Sequence, residues 1–399
     1  MNLEKLGRLQ DIMREMTQRG FVSGASCMVM QHGEEQCYYE TGYSDIAAER
    51  RMTRDTIHRL YSMTKPVTAA AVMLLLEEGR IDLLDQASDY LQGFRNQYVI
   101  EQGVIVPVKR PITIQNLLNM TSGLTYPGEG SPAEIRSDRL IEEIKDKLTT
   151  KQALTTVEVA NRIGKLPLAF IPDTAWQYGL SADVLGAIVE VVSGMRFGDF
   201  LKERIFDPLD MKDTDFYVPE DKQERLAKVY REAEGRLVEE TQCHLGIQNQ
   251  MKIRPAYESG GAGLCSTIDD YAKFAQMLLG GGTYRGRRIL SSRTVEYMTT
   301  AHILPSQRAG VEAWESLKGY TYGNLMRIMT APEEAAGLGS KGEYGWDGWL
   351  GTYMMNDPMH DLTLLIMQQK TDSGTTAYTR RMRNVLFSAL DETEHFSIS

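Results

Sequence analysis

The sequence predicts an α+β fold in which one antiparallel β-sheet is built from both chain ends and is flanked by helices. Two observations predict it. Apolar, strand-like runs lie near each end of the 399-residue chain, and the middle carries helical periodicity in several separate segments. If strands from the two ends share one sheet, the helical middle is an insertion. We therefore expect a sheet domain at 1–60 and 285–399 and a mainly helical domain at 61–284.

The chain ends contain the elements predicted for the sheet domain. Residues 1–16 have the pattern of an amphipathic helix, and two apolar-rich runs around a polar turn predict a hairpin at 26–40. Near the other end, strand signals occur at 351–355 and 362–368. A final helix is expected at about 375–390.

The middle of the chain is predicted to be helical, with two segments that fit no pattern. The expected helices are 64–78, 113–120, 156–163, 182–193, 197–205 and 267–279. The segments 104–109 and 225–251 show neither helical nor strand periodicity. We expect the loops at 126–150 and 225–251 to shape any substrate pocket.

Composition and charge exclude several classes of function. Apolar residues make up 42% and charged residues 25% of the chain, as in ordinary soluble globular proteins. The formal net charge of −10 would repel phosphate backbones, so we expect no nucleic-acid partner. The longest apolar run, 67–76, is shorter than the roughly 20 residues that span a bilayer, and we expect no membrane partner.

The N-terminus and the cysteines indicate a cytoplasmic protein without a cofactor. The first residues are charged throughout, whereas a signal peptide needs an uninterrupted apolar stretch. The four cysteines, at 27, 37, 243 and 265, form no CxxC pair and no metal-like cluster with histidine. We therefore expect reduced cysteines, no bound metal and no organic cofactor.

One short motif carries the chemistry of a candidate nucleophile. Ser62 and Lys65 have the S-x-x-K spacing, which places both side chains on one face of a helix. Pro66 fits only if that helix begins just before it, so Ser62 would lie at a helix N-terminus that favours developing negative charge. A neighbouring lysine can help deprotonate the hydroxyl. Alone, this motif is weak, since a serine N-cap followed by a solvated lysine would look the same.

Five blocks in order strengthen that interpretation. They are His58–Asp85 around the S-x-x-K motif, Leu117–Leu124 (LLNMTSGL), Trp176–Gly186 (WQYGLSADVLG), Gly261–Leu279 (GAGLCSTIDDYAKFAQMLL) and Tyr344–Tyr353 (YGWDGWLGTY). Together they resemble the serine β-lactamase-like family, which includes class C β-lactamases, low-molecular-weight DD-peptidases and family VIII carboxylesterases. The resemblance extends over roughly residues 10–390. It implies the β-lactamase/transpeptidase-like fold, with the active site between the two domains.

The resemblance also implies roles for individual residues. Ser62 would be the acylated nucleophile, and Lys65 and Tyr178 would move its proton. A free tyrosine has a pKa near 10, so we expect a nearby cation, with Lys65 the candidate, to lower the pKa of Tyr178. The asparagine that usually follows two residues after this tyrosine is Leu180 here, which argues against amide or β-lactam substrates.

The last block implies the substrate-binding strand. Penicillin-recognising relatives have Lys-Thr-Gly or His-Thr-Gly here and carboxylesterase relatives have Trp-Gly-Gly, whereas this chain has Trp346, Asp347 and Gly348. An anion in place of a cation would receive a substrate carboxylate poorly. Asp347 could equally do no more than close a turn. The backbone N–H groups of Ser62 and Trp349 would form the oxyanion hole.

An aromatic pocket completes the expected site. Four aromatic side chains could line an apolar pocket for the acyl or alcohol group, namely Tyr126, Trp346, Trp349 and Tyr353, although for any one of them core packing is at least as good an explanation. Tyr126 thus joins Trp346, Asp347 and Gly348 as a candidate substrate-binding residue. No G-x-S-x-G elbow or H-E-x-x-H pair occurs in the sequence.

The leading hypothesis is therefore a serine hydrolase of the carboxylesterase type that cleaves small-molecule esters through an acyl-enzyme on Ser62. A β-lactamase or DD-peptidase-like amidase, an acyltransferase, and a catalytically silent binding protein on the same scaffold are the alternatives.

Overall fold

An eight-stranded antiparallel sheet forms the centre of the computed structural model, which describes residues 1–300 and 302–390. Its strands are β1 Gly24–Gln31, β2 Glu34–Asp45, β3 Arg50–Arg51, β4 Tyr320–Gly323, β5 Met326–Met329, β6 Tyr344–Asp347, β7 Tyr353–Asp357 and β8 Leu362–Gln368. Their order across the sheet is β4-β5-β6-β7-β8-β1-β2-β3. Strands from the two chain ends meet where β1 pairs with β8. The predicted fold class is confirmed.

Helices cover both faces of this sheet and fill the middle of the chain. They are α1 Leu3–Gln18, α2 Thr64–Glu77, α3 Ala87–Tyr90, α4 Ile114–Leu118, α5 Pro132–Lys147, α6 Thr156–Ile163, α7 Ser181–Ser193, α8 Phe197–Leu201, α9 Ile268–Leu279, α10 Ser292–Met298, α11 Ala309–Glu312 and α12 Ala377–Ser388. Helices α1 and α12 pack on one face of the sheet and enclose a separate hydrophobic core. The larger core lies on the opposite face, around α2, α7 and α9.

The side chains of Trp346 and Asp347, neighbours on the candidate substrate strand β6, lie on opposite faces of the sheet. Trp346 lies opposite Met354 of β7, and Met354 belongs to the larger core. Asp347 lies opposite Tyr353, which belongs to the core under α1 and α12. Because successive side chains of a strand point to opposite faces, Trp346 faces the helical side and Asp347 faces α12.

Helix α2 is apolar on all sides, which suits a helix buried at the centre of the fold. It begins at Thr64, immediately after a 3₁₀ turn at Tyr61–Met63. Pro66 therefore falls in the first turn, where its missing N–H costs no helical hydrogen bond. Lys65 is a polar exception among the buried side chains of this helix.

Several segments differ from the sequence-based expectation. The stretch 104–109 contains the second strand of a ribbon that pairs Tyr98–Glu101 with Val104–Pro107. The stretch 225–251 contains another ribbon, Tyr230–Ala233 with Arg236–Glu239. Strands β4 and β5 were not predicted, because each has only four residues, too few for a clear period.

The expected loop at 126–150 is largely a helix. Helix α5 begins at Pro132, and its N-cap Ser131 accepts a hydrogen bond from the N–H of Glu134. Its buried residues recur at helical spacing, namely Ala133, Ser137, Leu140, Ile141 and Ile144. Their apolar face is interrupted by Ser137, which hides the period in the sequence.

Candidate active site

Ser62 lies in the 3₁₀ turn that leads into α2, and it is half-buried. The residue before it, Tyr61, has a φ of 45°, a left-handed conformation that is strained for a bulky side chain. Hydrogen bonds to the neighbouring backbone keep Tyr61 in this conformation. The Leu60 N–H donates to the Leu264 carbonyl at 2.9 Å, and the Leu60 carbonyl accepts from Thr352 Oγ1 at 2.9 Å.

Lys65 is wholly buried beside Ser62, and all three of its N–H bonds have acceptors. Its Nζ donates to Ser62 Oγ at 3.1 Å, to Tyr126 Oη at 2.9 Å and to the Gly261 carbonyl at 2.8 Å. Burial lowers the pKa of Lys65 to about 7, against the opposing effect of the Asp183 and Asp347 carboxylates. A substantial neutral fraction near neutral pH gives Ser62 a proton acceptor within hydrogen-bond distance.

Tyr178 lies on the other side of Lys65, with its ring centre 4.5 Å from Nζ. Its Oη accepts a hydrogen bond from Trp346 Nε1 at 2.9 Å. Burial raises the pKa of Tyr178 above its ordinary value, although the Ser62 hydroxyl and the Trp346 indole oppose this rise. We expected Lys65 to lower this pKa, but the pKa is raised by burial and the groups that oppose the rise are Ser62 and Trp346, so Tyr178 rests as a neutral phenol.

Trp346 contacts the site through its hydrogen bond to Tyr178 and does not form an exposed surface of a pocket. Its side chain is 1% exposed and also packs edge-on against Tyr322, with ring centres 5.1 Å apart. Asp347, expected beside it, lies on the opposite face of the sheet. Its Oδ2 accepts from Thr375 Oγ1 at 3.0 Å and its Oδ1 lies 3.7 Å from Arg327 Nη1. The structure therefore does not bring the Asp347 side chain to the Ser62 face.

Gly348 permits the end of β6 to touch the Ser62 turn. A Cβ at this position would lie 2.2 Å from the Leu60 carbonyl oxygen and 2.2 Å from Thr352 Oγ1. The next residue, Trp349, packs its ring against that of Tyr61 at 5.1 Å. Within the described ranges, no protein atom accepts a hydrogen bond from the N–H of Ser62 or of Trp349.

Aromatic side chains surround this cluster, and two of them were missed from the sequence. Tyr126 packs against Tyr178 with ring centres 5.4 Å apart. Trp314, which is 40% exposed, lies edge-on to Tyr178 at 5.3 Å. His244 stacks on Trp349 at 3.8 Å, and burial lowers its pKa to about 4, so it is neutral. Both missed residues come from irregular segments without a motif.

Asp183 is a third residue to which the sequence assigned no role. It lies in the first turn of α7 and is 2% exposed, within the block that contains Tyr178. Its carboxylate accepts hydrogen bonds from the segment that holds Gly261, the acceptor of Lys65. Over residues 1–300 and 302–390, no group of three or more His, Cys, Asp or Glu side chains could hold a metal ion. In the same part of the chain, no helix is long and apolar enough to cross a membrane.

The fold and this Ser–Lys–Tyr cluster define a serine hydrolase of the β-lactamase fold. Residues 9–387 match the model of the beta-lactamase family, and the chain belongs to that family. The resemblance inferred from the five sequence blocks is confirmed.

Relatives of this chain include proteins with different named activities. Protein Rv1367c of Mycobacterium tuberculosis is 34% identical, over 90% of this chain and 89% of its own length. Esterase EstB of Burkholderia gladioli is 28% identical, over 96% of this chain and 95% of its own. Other relatives are named as an acyltransferase and as putative D-alanyl-D-alanine carboxypeptidases.

A solved structure supports the same fold. EstCE1, described as a hydrolase with promiscuous acyltransferase activity, superimposes with a TM-score of 0.80 at 24% identity. The match covers 96% of this chain and 99% of that one. At this level of identity, the similarity shows the fold.

Proposed function

We propose that this protein cleaves small-molecule carboxylic esters through an acyl-enzyme on Ser62. The observation that carries the proposal is the hydrogen bond from Trp346 Nε1 to Tyr178 Oη, 2.9 Å long. An uncharged indole occupies the strand position where penicillin-recognising relatives have a lysine or histidine. A substrate carboxylate would find no cation there, whereas a neutral ester would need none.

Acylation begins with the removal of the Ser62 proton. Lys65 is the resting base, because burial brings its pKa to about 7 while the pKa of Tyr178 is raised. Ser62 Oγ attacks the ester carbonyl carbon as its proton moves to Nζ, 3.1 Å away. The carbonyl oxygen becomes an oxyanion, for which the unpaired N–H groups of Ser62 and Trp349 supply donors.

The alcohol then leaves with a proton, and water completes the cycle. The Tyr178 phenol is neutral and its hydroxyl interacts with Ser62, so it can donate a proton to the leaving alkoxide, and the Lys65 ammonium, which also contacts Ser62 Oγ, replaces that proton. In deacylation, water attacks the acyl carbon, Lys65 accepts a proton from it, and that proton passes to Ser62 Oγ as the acyl–oxygen bond breaks. The aromatic side chains Tyr126, Trp314 and Trp349 offer apolar contact area for the acyl or alcohol group.

The names of two relatives favour an ester over an amide. Esterase EstB aligns with 96% of this chain, and the lovastatin esterase of Penicillium rubens aligns with 74% at 29% identity. Leu180 adds to this, because it is aliphatic and 2% exposed where amide-cleaving relatives have an asparagine that binds the substrate amide.

A paired assay tests the proposal. Purified wild type and Ser62→Ala are compared on p-nitrophenyl acetate, p-nitrophenyl butyrate and a chromogenic cephalosporin, with Ser388→Ala as a control on an exposed helix position. We expect ester hydrolysis that falls at least ~10³-fold in Ser62→Ala and is unchanged in Ser388→Ala, since the nucleophile is lost only in the first. Cephalosporin turnover as fast as that of the esters, or ester hydrolysis that survives in Ser62→Ala, would contradict the proposal.

Acyl transfer is the second candidate, and the names of relatives favour it specifically. Acyltransferase calJ of Penicillium decumbens is 26% identical over 77% of this chain. The same acyl-enzyme would then react with an alcohol instead of water. Adding methanol or a longer alcohol to the p-nitrophenyl butyrate assay and measuring the transester by chromatography separates the two. A transester yield above that expected from the alcohol concentration would favour transfer.

A further inference from the structure

We propose that Asp183 is a positioning residue for Lys65: it holds the backbone group that binds the Lys65 ammonium and supplies the buried negative charge beside it. The inference rests on the proposed role of Lys65 as the base that acts on Ser62. Asp183 belongs to α7, whereas Lys65 belongs to α2, so the connection is tertiary.

The Asp183 carboxylate organises the segment 257–261. Its Oδ1 accepts hydrogen bonds from Tyr257 Oη at 2.6 Å, Ser259 Oγ at 2.5 Å and the Gly261 N–H at 3.2 Å. Three donors from one short segment converge on a single oxygen of a side chain that is 2% exposed. Hydrogen bonds to an ionised acceptor are the stronger kind, so this carboxylate fixes the path of the segment.

Gly261 links this carboxylate to Lys65. Its N–H donates to Asp183 Oδ1, and its carbonyl accepts from Lys65 Nζ at 2.8 Å. A Cβ on Gly261 would lie 2.6 Å from Asp183 Oδ2 and 3.2 Å from Tyr126 Oη, so the site has no room for a side chain here. Any movement of Asp183 therefore moves an acceptor of Lys65.

The second oxygen of Asp183 has an unusual environment. Among the described residues, nothing hydrogen-bonds to the buried Oδ2, although Oδ1 has three donors. A buried carboxylate is costly unless its charge is compensated, and a nearby cation reduces that cost. Lys65 interacts with it electrostatically, and the Asp183 charge opposes the loss of the Lys65 proton.

Of the titratable groups near Lys65, Asp183 has the largest effect in favour of the charged ammonium. Tyr126 and Tyr178, the titratable groups that touch it, both have pKa values raised by burial and are uncharged. Asp347 also raises the pKa of Lys65, but by less than Asp183 does. Its carboxylate has a cation of its own nearby, Arg327. Asp183 is therefore the main counter-charge of the ammonium.

The test separates the effect of the Asp183 charge from the effect of the hydrogen bonds that its carboxylate accepts. In Asp183→Asn the amide can still accept at Oδ1, but the negative charge is gone. In the matched control Ser259→Ala the charge stays and one hydrogen bond to it is lost. We would follow the protonation of Lys65 by NMR of protein labelled with ¹³C in its lysine side chains, with the Lys65 signal assigned from its absence in Lys65→Arg.

We expect the pKa of Lys65 to fall by about one unit or more in Asp183→Asn, because the lost carboxylate charge opposes the loss of the Lys65 proton and charge interactions in a protein interior have effects of that size. In the control Ser259→Ala, the pKa of Lys65 should stay within about 0.3 units of the wild-type value, because the Asp183 charge is kept. The pH limb of kcat/KM that reports Lys65 should move by the same amount. A wild-type pKa in Asp183→Asn, together with a lower rate, would overturn the proposal and leave Asp183 a purely structural residue.

The NMR titration needs no turnover, so its result is separable from the proposed esterase activity. If Asp183→Asn does not fold, Lys65→Met combined with Asp183→Asn provides the second measurement. Lys65→Met leaves the Asp183 charge buried without its cation, so its melting temperature should fall, and adding Asp183→Asn in that background should recover part of the loss. A double variant that is less stable than Lys65→Met would overturn the proposal.

Discussion

The indole N–H of Trp346 donates a hydrogen bond to the phenolic oxygen of Tyr178 at 2.9 Å. This contact joins strand β6 to the phenol that, in the proposed mechanism, exchanges protons with Lys65 and Ser62. A charged side chain at position 346 would change the charge of the whole cluster, whereas an indole only stabilises a phenol oxygen that gains negative character. Under the proposed mechanism, strand β6 would influence the proton transfer as well as the binding of substrate.

Trp346→Phe tests this contact. The ring remains to pack against Tyr322, but the donor to Tyr178 is lost. We expect kcat/KM for p-nitrophenyl butyrate to fall about 10- to 100-fold, the range for a hydrogen bond to a charged group. The melting temperature should also fall, because the smaller ring leaves a cavity at a side chain that is 1% exposed. The matched control is Trp176→Phe, because Trp176 also packs near Tyr178 but its buried Nε1 has no partner among the described residues. Equal losses in the two variants would show that ring packing, not the N–H, matters.

The pH profile tests the assignment of Lys65 as resting base. Its pKa of about 7 lies below the ordinary lysine value, so the neutral form increases as pH rises through 7. We expect kcat/KM to rise about tenfold per unit below pH 6 and to level off above pH 8. Lys65→Arg should be inactive at every pH, since arginine stays protonated.

A histidine would be the other explanation of a limb near pH 7. The nearby His244 is excluded because its pKa is about 4. If the limb were to persist in an active Lys65→Arg variant, the assignment of Lys65 would be wrong.

Local sequence patterns were sufficient for much of this fold. The 156–163 helix was predicted with its observed bounds from helical periodicity, and in the structure Thr155 and Glu158 form a capping box at its start. The spacing of Ser62 and Lys65 within one helical turn predicted their contact, and Oγ and Nζ lie 3.1 Å apart.

Local sequence patterns could not predict the contacts between segments that are distant in the chain. The resemblance implied a strand around 346–348, but the face on which Asp347 lies depends on the register of β6 with β7, which the sequence does not specify. The link between Asp183 and Gly261 joins residues 78 positions apart, and no periodicity encodes such a pair. The raised pKa of Tyr178 follows from burial, which only the packed structure reveals.

Gly348→Ala tests whether β6 must touch the Ser62 turn. The added methyl group would overlap two oxygens at 2.2 Å, so the strand end and Trp349 would have to move. We expect at least about a 100-fold fall in kcat/KM, since small displacements of catalytic groups have effects of that size, and a lower melting temperature. Gly7→Ala is the control: nothing lies within 4 Å of its new Cβ, and alanine favours the α1 helix. Wild-type activity in Gly348→Ala would show that the contact is dispensable.

His244 is expected to set the size of the acyl group accepted. Its imidazole covers Trp349 at 3.8 Å, and it lies in an irregular segment whose neighbours Leu245 and Ile247 pack in the cluster with Tyr61. Removing the ring in His244→Ala should widen the space beside Trp349. The ratio of kcat/KM for p-nitrophenyl octanoate to that for the butyrate should rise several-fold, by the ~1–3 kcal/mol that hydrophobic pocket contacts contribute.

His244→Phe is the matched variant for this prediction, because a phenyl ring can keep the stack on Trp349 without an ionisable group. Its chain-length ratio should stay near that of wild type. If His244→Ala leaves the ratio unchanged, His244 does not border the acyl site.

The central claim is that Ser62 becomes covalently acylated. The most direct measurement is peptide mapping by mass spectrometry after reaction with a fluorophosphonate, which traps an activated serine, and after acid quenching of a reaction with p-nitrophenyl butyrate. The account predicts one modified peptide, with the adduct on Ser62, and no adduct in Ser62→Ala. An adduct on another side chain, or an unmodified protein that still hydrolyses the ester, would contradict it.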